Sequence, residues 1–225
     1  MSSTVPPPTA SEAPVGILGG TFDPIHNAHL RLAEEALARF ALERVLLVPA
    51  GSPWHRAAPT AAAADRVAMV RLAIADNPAL AMDDREVRTS APGYTVDTLQ
   101  RLRAEIGPRR PAVLLLGADA FLGLPSWHRW QALFDLAHLG VATRPGHSLL
   151  PEAMPPALAE EYRRRLAEPA ATAASPAGLI VPFVLSAGMT SSTLVRGRLA
   201  AGSAVADLLP DCVSDYIRRH HLYTD

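Results

Sequence analysis

Short apolar runs and amphipathic stretches take turns along this chain. Val15 to Leu18 has no polar break, the pattern of a strand buried on both faces. From His29 to Phe40, the residues Leu30, Ala33, Leu37 and Phe40 recur at helical spacing. Residues 43–51, ERVLLVPAG, predict a second buried strand that ends in a Pro-Gly loop. Between Asp65 and Asp76, Val67, Val70 and Ile74 line one helical face, and Asn77-Pro78 stops it. Ala81 to Val87 reads as a less apolar strand. Val96, Leu99, Leu102 and Ile106 mark a helix closed by Gly107-Pro108, and residues 112–117, AVLLLG, form the clearest buried strand. Trp127 to Leu136 predicts a helix, and residues 138–146 a strand ending at Arg144-Pro145-Gly146.

Residues 147–178 break the rhythm. They are rich in Pro and Ala, with one helix carrying Leu158, Tyr162 and Leu166, and read as a variable insertion. Residues 178–185, GLIVPFVL, supply a further strand, which Pro182 assigns to a sheet edge. Helices over Ser191–Ala201 and Asp211–His220 finish the chain. Such alternation predicts one α/β domain over 15–225, a doubly wound and mainly parallel sheet of Rossmann-like type. Ligands in such sheets sit beyond the carboxyl ends of the strands, near a topological switch point. Residues 1–14, MSSTVPPPTASEAP, read as a disordered tail.

Composition narrows the partners. The 225 residues are 49% apolar, enough for one sizeable core. A formal charge of −1 supplies no global basic field, so neither nucleic acid nor a membrane is expected as partner. Affinity for phosphate would have to come from local groups. Cys212 is the only cysteine, which excludes an intramolecular disulfide and a multi-cysteine metal site. No run reaches the roughly 18 apolar residues of a membrane span. The first residues lack the basic start and apolar stretch of a signal peptide, so a cytoplasmic protein is expected.

The chemistry concentrates in residues 16–30, GILGGTFDPIHNAHL. Gly19-Gly20 follows the first apolar run, so it falls at the carboxyl edge of the sheet. Without Cβ atoms these residues admit a ligand close to the main chain and permit φ > 0. Pro24 stiffens the loop. His26 lies just before the next helix and His29 opens it, where free N–H groups and partial positive charge collect. Together these make a site for anionic oxygen. A tight turn with two surface histidines is the plainer alternative. Zinc would need a His-Glu-x-x-His pattern or further ligands, and Asn27-Ala28 stand between the histidines, so no residues are assigned to a metal.

The stretch from Gly19 to His29 resembles the signature of the adenylyl- and cytidylyltransferases, and most closely that of the bacterial nicotinate-nucleotide adenylyltransferases. Five more blocks follow in that family's order. Pro53-Trp54-His55-Arg56 resembles its Pro-Pro-His-Lys/Arg loop. Residues 91–99, APGYTVDTL, are similar to its Ser-Tyr-Thr block. Gly117-Ala118-Asp119 with Trp127-His128, Arg144-Pro145-Gly146, and Ser191-Ser192-Thr193-Leu194-Val195-Arg196 resemble the rest. Two positions depart: Ala28 stands where the family usually has glycine, near the expected adenine, and Trp54 replaces the second proline.

The resemblance implies transfer of AMP from ATP to nicotinate mononucleotide, yielding nicotinate adenine dinucleotide and pyrophosphate in NAD biosynthesis, with Mg²⁺ on the triphosphate. It implies that His26, His29 and Arg196 stabilise charge at the reacting phosphates. Gly19, Gly20, Thr21, Phe22, Arg56, Asp119, Arg144, Ser191 and Thr193 would bind ATP. Trp54, Tyr94, Thr95, Trp127 and His128 would bind the mononucleotide, Trp127 by stacking, and the N–H groups of Thr95 and His128 at the carboxylate. Two alternatives stay open: a sibling adenylyltransferase acting on phosphopantetheine or nicotinamide mononucleotide, and a non-catalytic nucleotide sensor. Self-association is also open.

Overall fold

The computed structural model describes residues 13–51, 59–89, 93–186 and 190–224. Six parallel strands form its centre: β1 (Val15–Gly20), β2 (Arg44–Pro49), β3 (Leu80–Met82), β4 (Ala112–Gly117), β5 (His138–Thr143) and β6 (Ile180–Val184). Their order is β3-β2-β1-β4-β5-β6. The chain steps outward from β1 to β3, then returns to β1's other side and steps outward again. The two halves part between β1 and β4, and the crevice beyond their carboxyl ends is where such sheets bind ligands.

Parallel pairing requires a crossover on a sheet face, and the helices provide it. On one face α1 (Asn27–Arg39), α2 (Ala63–Ile74), α6 (Ser192–Ala200) and α7 (Asp211–Arg219) bury Leu32, Ala33, Met69, Val70, Val195, Val213 and Ile217. On the other, α3 (Thr95–Ile106), α4 (Ala118–Leu122) and α5 (Pro156–Arg165) bury Val96, Leu99, Phe121, Leu158 and Tyr162. The predicted doubly wound architecture is the one observed.

Several expectations need correction. Strand β1 runs through Gly19 and Gly20 instead of ending at Leu18. The strand expected over 81–87 is only Leu80–Met82, because the chain turns at Asp83, whose carboxylate accepts from the Arg85 N–H at 3.1 Å. Trp127–Leu136 is not an α-helix. Two 3₁₀ turns, Leu124–Ser126 and Trp130–Asp135, flank Trp127, and Arg129 between them adopts φ 50°. In α2 the buried face carries Arg66 and Met69 beside Val70 and Ile74, while Val67 is half-buried.

Leu166 lies just past α5, not within it. Residues 147–178 therefore contribute to the fold: Leu158 and Tyr162 enter the core, and Leu166 bridges to Ile180 of β6 in parallel fashion. The Ala167 N–H donates to the Ile180 carbonyl at 3.0 Å. Pro182 does occupy an edge strand. His138, buried at the start of β5, ties down the approach to β6: its Nδ1 accepts from the Leu179 N–H at 3.1 Å, and Nε2 meets the Ser175 carbonyl at 2.8 Å. Of the expected tail, residues 1–12 lie outside the described residues.

Candidate active site

The carboxyl end of β1 supplies the floor of the site. A Cβ added at Gly19 would meet nothing within 4 Å, so this main chain faces open space. Gly20 is different: a Cβ there would come within 2.9 Å of the Phe22 ring. Neither glycine adopts positive φ. The left-handed turn falls instead on Phe22, at φ 48°, whose buried ring the surrounding core holds in place.

His26 is the N-cap of α1 and His29 its third helical residue. Their rings stack with centroids 3.7 Å apart, and Phe22 meets His29 edge-on at 5.0 Å. The His26 N–H donates to His29 Nδ1 at 3.3 Å, which leaves the proton of a neutral His29 on Nε2. Burial pushes the His26 imidazole down to about 4, so it is uncharged at neutral pH. Its Nδ1 is buried and has no hydrogen-bond partner among the described residues. The His26 ring therefore brings no charge to the site at neutral pH. The positive charge comes from elsewhere.

Arg196, one turn into α6, donates through Nη1 to the Asp23 carbonyl at 2.7 Å and lies 3.8 Å from that residue's carboxylate. Ser191 caps α6, accepting from the Leu194 N–H at 3.1 Å, and both Ser191 and Thr193 are exposed. The Ser192 hydroxyl donates to the Pro24 carbonyl at 3.1 Å, which joins the start of α6 to the loop after β1. His26, His29, Arg196 and the Ser191–Thr193 turn are therefore brought together around residues 19–24.

The remaining residues stand along the same sheet edge. Asp119 is exposed in the first turn of α4, just past β4, and Arg144 is exposed just past β5. Tyr94 caps α3, Thr95 begins it, and the Tyr94 ring lies 4.3 Å from the His128 ring, joining two blocks far apart in sequence. Trp127 packs against the core while half-exposed. Trp54 and Arg56 lie outside the described residues. Among the described residues no group of His, Cys, Asp and Glu gathers in a form able to hold a metal ion. None of their helices is long and apolar enough to cross a membrane.

Three groups behind the loop, Asp23, Arg66 and the half-buried Tyr223, escape the sequence patterns. Asp23 belongs to the signature, yet its carboxylate faces inward and accepts from the N–H groups of Thr60 at 2.7 Å and Ala61 at 3.0 Å. Arg66, 1% exposed, donates from Nη1 to the Thr21 carbonyl at 2.7 Å. Burial pulls its guanidinium below the ordinary value, and the Asp23 carboxylate opposes this. A charge three and four positions before Met69 and Val70, on the apolar face of α2, is the signal that could have found it. Tyr223 has no such signal.

Comparison with known proteins identifies the family. Residues 17–198 match the cytidylyltransferase-like family. A protein of Dechloromonas aromatica named "probable nicotinate-nucleotide adenylyltransferase" is 49% identical over 211 residues, 93% of this chain and 97% of its own. One from Pseudomonas aeruginosa with the same name is 43% identical over 210 residues, covering 93% and 96%. The Plasmodium falciparum nicotinic acid mononucleotide adenylyltransferase complexed with NaAD superposes with a TM-score of 0.70 at 18% identity, over 93% of this chain and 97% of that one, a likeness of fold. The chain belongs to the cytidylyltransferase-like family of nucleotidyltransferases, on its nicotinate-nucleotide adenylyltransferase branch.

Proposed function

We propose that the protein transfers AMP from ATP to nicotinate mononucleotide. The observation that carries the reading is the stacked His26–His29 pair beside the open main chain of Gly19, at the switch point of the sheet. A phosphate oxygen of the mononucleotide attacks the α-phosphorus of ATP. The new P–O bond forms as the bond from that phosphorus to the bridging β-phosphate oxygen breaks, and pyrophosphate leaves. No protein nucleophile takes part, so the protein's contribution is placement and charge stabilisation.

In this reading the His26 and His29 imidazoles donate to phosphate oxygens at the start of α1, and Arg196 supplies the fixed positive charge. The exposed Ser191 and Thr193 at the start of α6 take the outer phosphates, with the free N–H groups of that helix. Gly19, Gly20, Thr21 and Phe22 line the nucleotide, with Asp119 and Arg144 on the adenosine side and Arg56 approaching the phosphates. Tyr94, Thr95, Trp127 and His128, with Trp54, hold the mononucleotide. Main-chain N–H groups suit its carboxylate and leave an amide NH₂ facing another donor, which favours the acid. Magnesium enters as part of the substrate, on the triphosphate, and the cytoplasm is the compartment of this reading.

Pyrophosphate release, measured side by side with nicotinate mononucleotide, nicotinamide mononucleotide and phosphopantetheine, with and without Mg²⁺, tests the proposal. Turnover is expected with the nicotinate compound and magnesium. Activity on phosphopantetheine alone would overturn the substrate, and no turnover with any acceptor would leave a nucleotide sensor.

A further inference from the structure

We propose that Tyr223, in the last turn of the chain, is a positioning residue that sets the nucleotide loop through its bond to Asp23. The inference rests on the adenylyl-transfer reading above for its kinetic test, and on geometry for the rest.

Asp23 is 4% exposed, and its carboxylate is fully engaged. Oδ2 accepts from the Thr60 N–H, and Oδ1 accepts from the Ala61 N–H and from the Tyr223 hydroxyl at 2.7 Å. The same residue's carbonyl takes Arg196. Asp23 stands between Phe22, whose ring touches His29, and Pro24, whose carbonyl takes Ser192. One buried side chain therefore connects the loop after β1, the approach to α2, the arginine of α6 and the end of the chain. A shift of Asp23 moves Arg196 and Phe22 together.

The chain bends to deliver that hydroxyl. After α7 both His221 (φ 50°) and Tyr223 (φ 61°) adopt left-handed conformations, which cost free energy in residues with a Cβ. The Leu222 N–H donates to the Ile217 carbonyl at 3.1 Å, which anchors the turn. Burial and the adjacent carboxylate push the Tyr223 phenol well above its ordinary value, so it stays a donor at all working pH. Tyr223 sits behind the loop, and its effect on the reaction passes through Asp23.

A second hydroxyl–carboxylate bond from the same segment serves as control. Tyr216 of α7 donates to Asp65 of α2 at 2.9 Å, a carboxylate outside the loop. The test compares the parent, Tyr223→Phe and Tyr216→Phe by thermal unfolding, ATP calorimetry and steady-state kinetics with nicotinate mononucleotide. Tyr223→Phe is expected to fold, to lower kcat about tenfold, to weaken ATP about threefold, and to leave KM for the mononucleotide within about twofold. Tyr216→Phe is expected to keep kcat. A Tyr223→Phe enzyme with parental kcat, equal losses in both variants, or failure of Tyr223→Phe to fold would each overturn the proposal. If the parent itself does not turn over, the functional reading fails, and unchanged ATP affinity in Tyr223→Phe is then the overturning result.

Discussion

His29 accepts the backbone N–H of His26 through Nδ1 at 3.3 Å while its ring stacks on the His26 ring. The first bond fixes the tautomer of a neutral His29, and the stack fixes its plane. Its remaining nitrogen is then a directed donor. Replacing His29 with Ala should lower kcat by about 10² or more with a smaller effect on KM, as expected when a transition-state donor is lost. Steady-state kinetics with ATP varied at saturating mononucleotide would check this, and an unchanged kcat would remove His29 from the reaction.

His26 makes a prediction about acid. Its folded value of about 4 lies below the ordinary 6.5, so the unfolded chain takes up a proton that the native one refuses. Stability is whole above 6.5, falls as the pH drops toward 4, and levels off below. The loss over that window is about 3 kcal/mol. His138, also held low by burial, contributes in the same direction. Urea unfolding at several pH values should show this slope, and His26→Gln should flatten it only in part, because His138 remains.

Adjacent glycines should behave differently. Gly19→Ala adds a methyl group to empty space, so the melting temperature should stay close to parental while KM for ATP rises several-fold. Gly20→Ala drives a methyl group into the Phe22 ring and should cost about 1–3 kcal/mol. Melting curves beside ATP titrations separate the two. Equal melting losses would refute the open-face account of Gly19.

Arg66 should be indispensable to stability without touching a ligand. Removing its side chain leaves the Thr21 carbonyl without its donor and a hole beneath α2. Arg66→Ala should cost about 2–4 kcal/mol in denaturant unfolding. A loss below about 0.5 kcal/mol would show that this buried guanidinium contributes no net stability.

Trp127→Ala should raise KM for the mononucleotide more than for ATP, because Trp127 adjoins His128, whose ring meets that of Tyr94. Equal changes in both constants would argue against stacking of the pyridine ring.

The alternation of strands and helices was legible because buried parallel strands and amphipathic helices have different periods, and AVLLLG or ERVLLVPAG cannot be mistaken for loop. Around Trp127 the pattern misled: Leu133 and Phe134 are buried, as a helix would bury them, yet Arg129 at φ 50° breaks the chain into 3₁₀ turns. The front of the site was legible because nearly all its residues fall in short local blocks. Its back was not. Arg66 reaches the Thr21 carbonyl across 45 residues and Tyr223 reaches Asp23 across 200, and each bond depends on tertiary placement that no local spacing records.

Both flanks of the sheet offer a further strand only a short rim. On the far side, Leu166 and Ala167 already occupy β6 and Pro182 withholds a donor; on the near side, β3 is three residues long and runs straight into Asp83-Asp84. Exposed strand rims invite templated fibre growth and runaway pairing between copies, and here little rim is left to copy. So short a rim favours helix or loop contacts over shared strands wherever two copies touch.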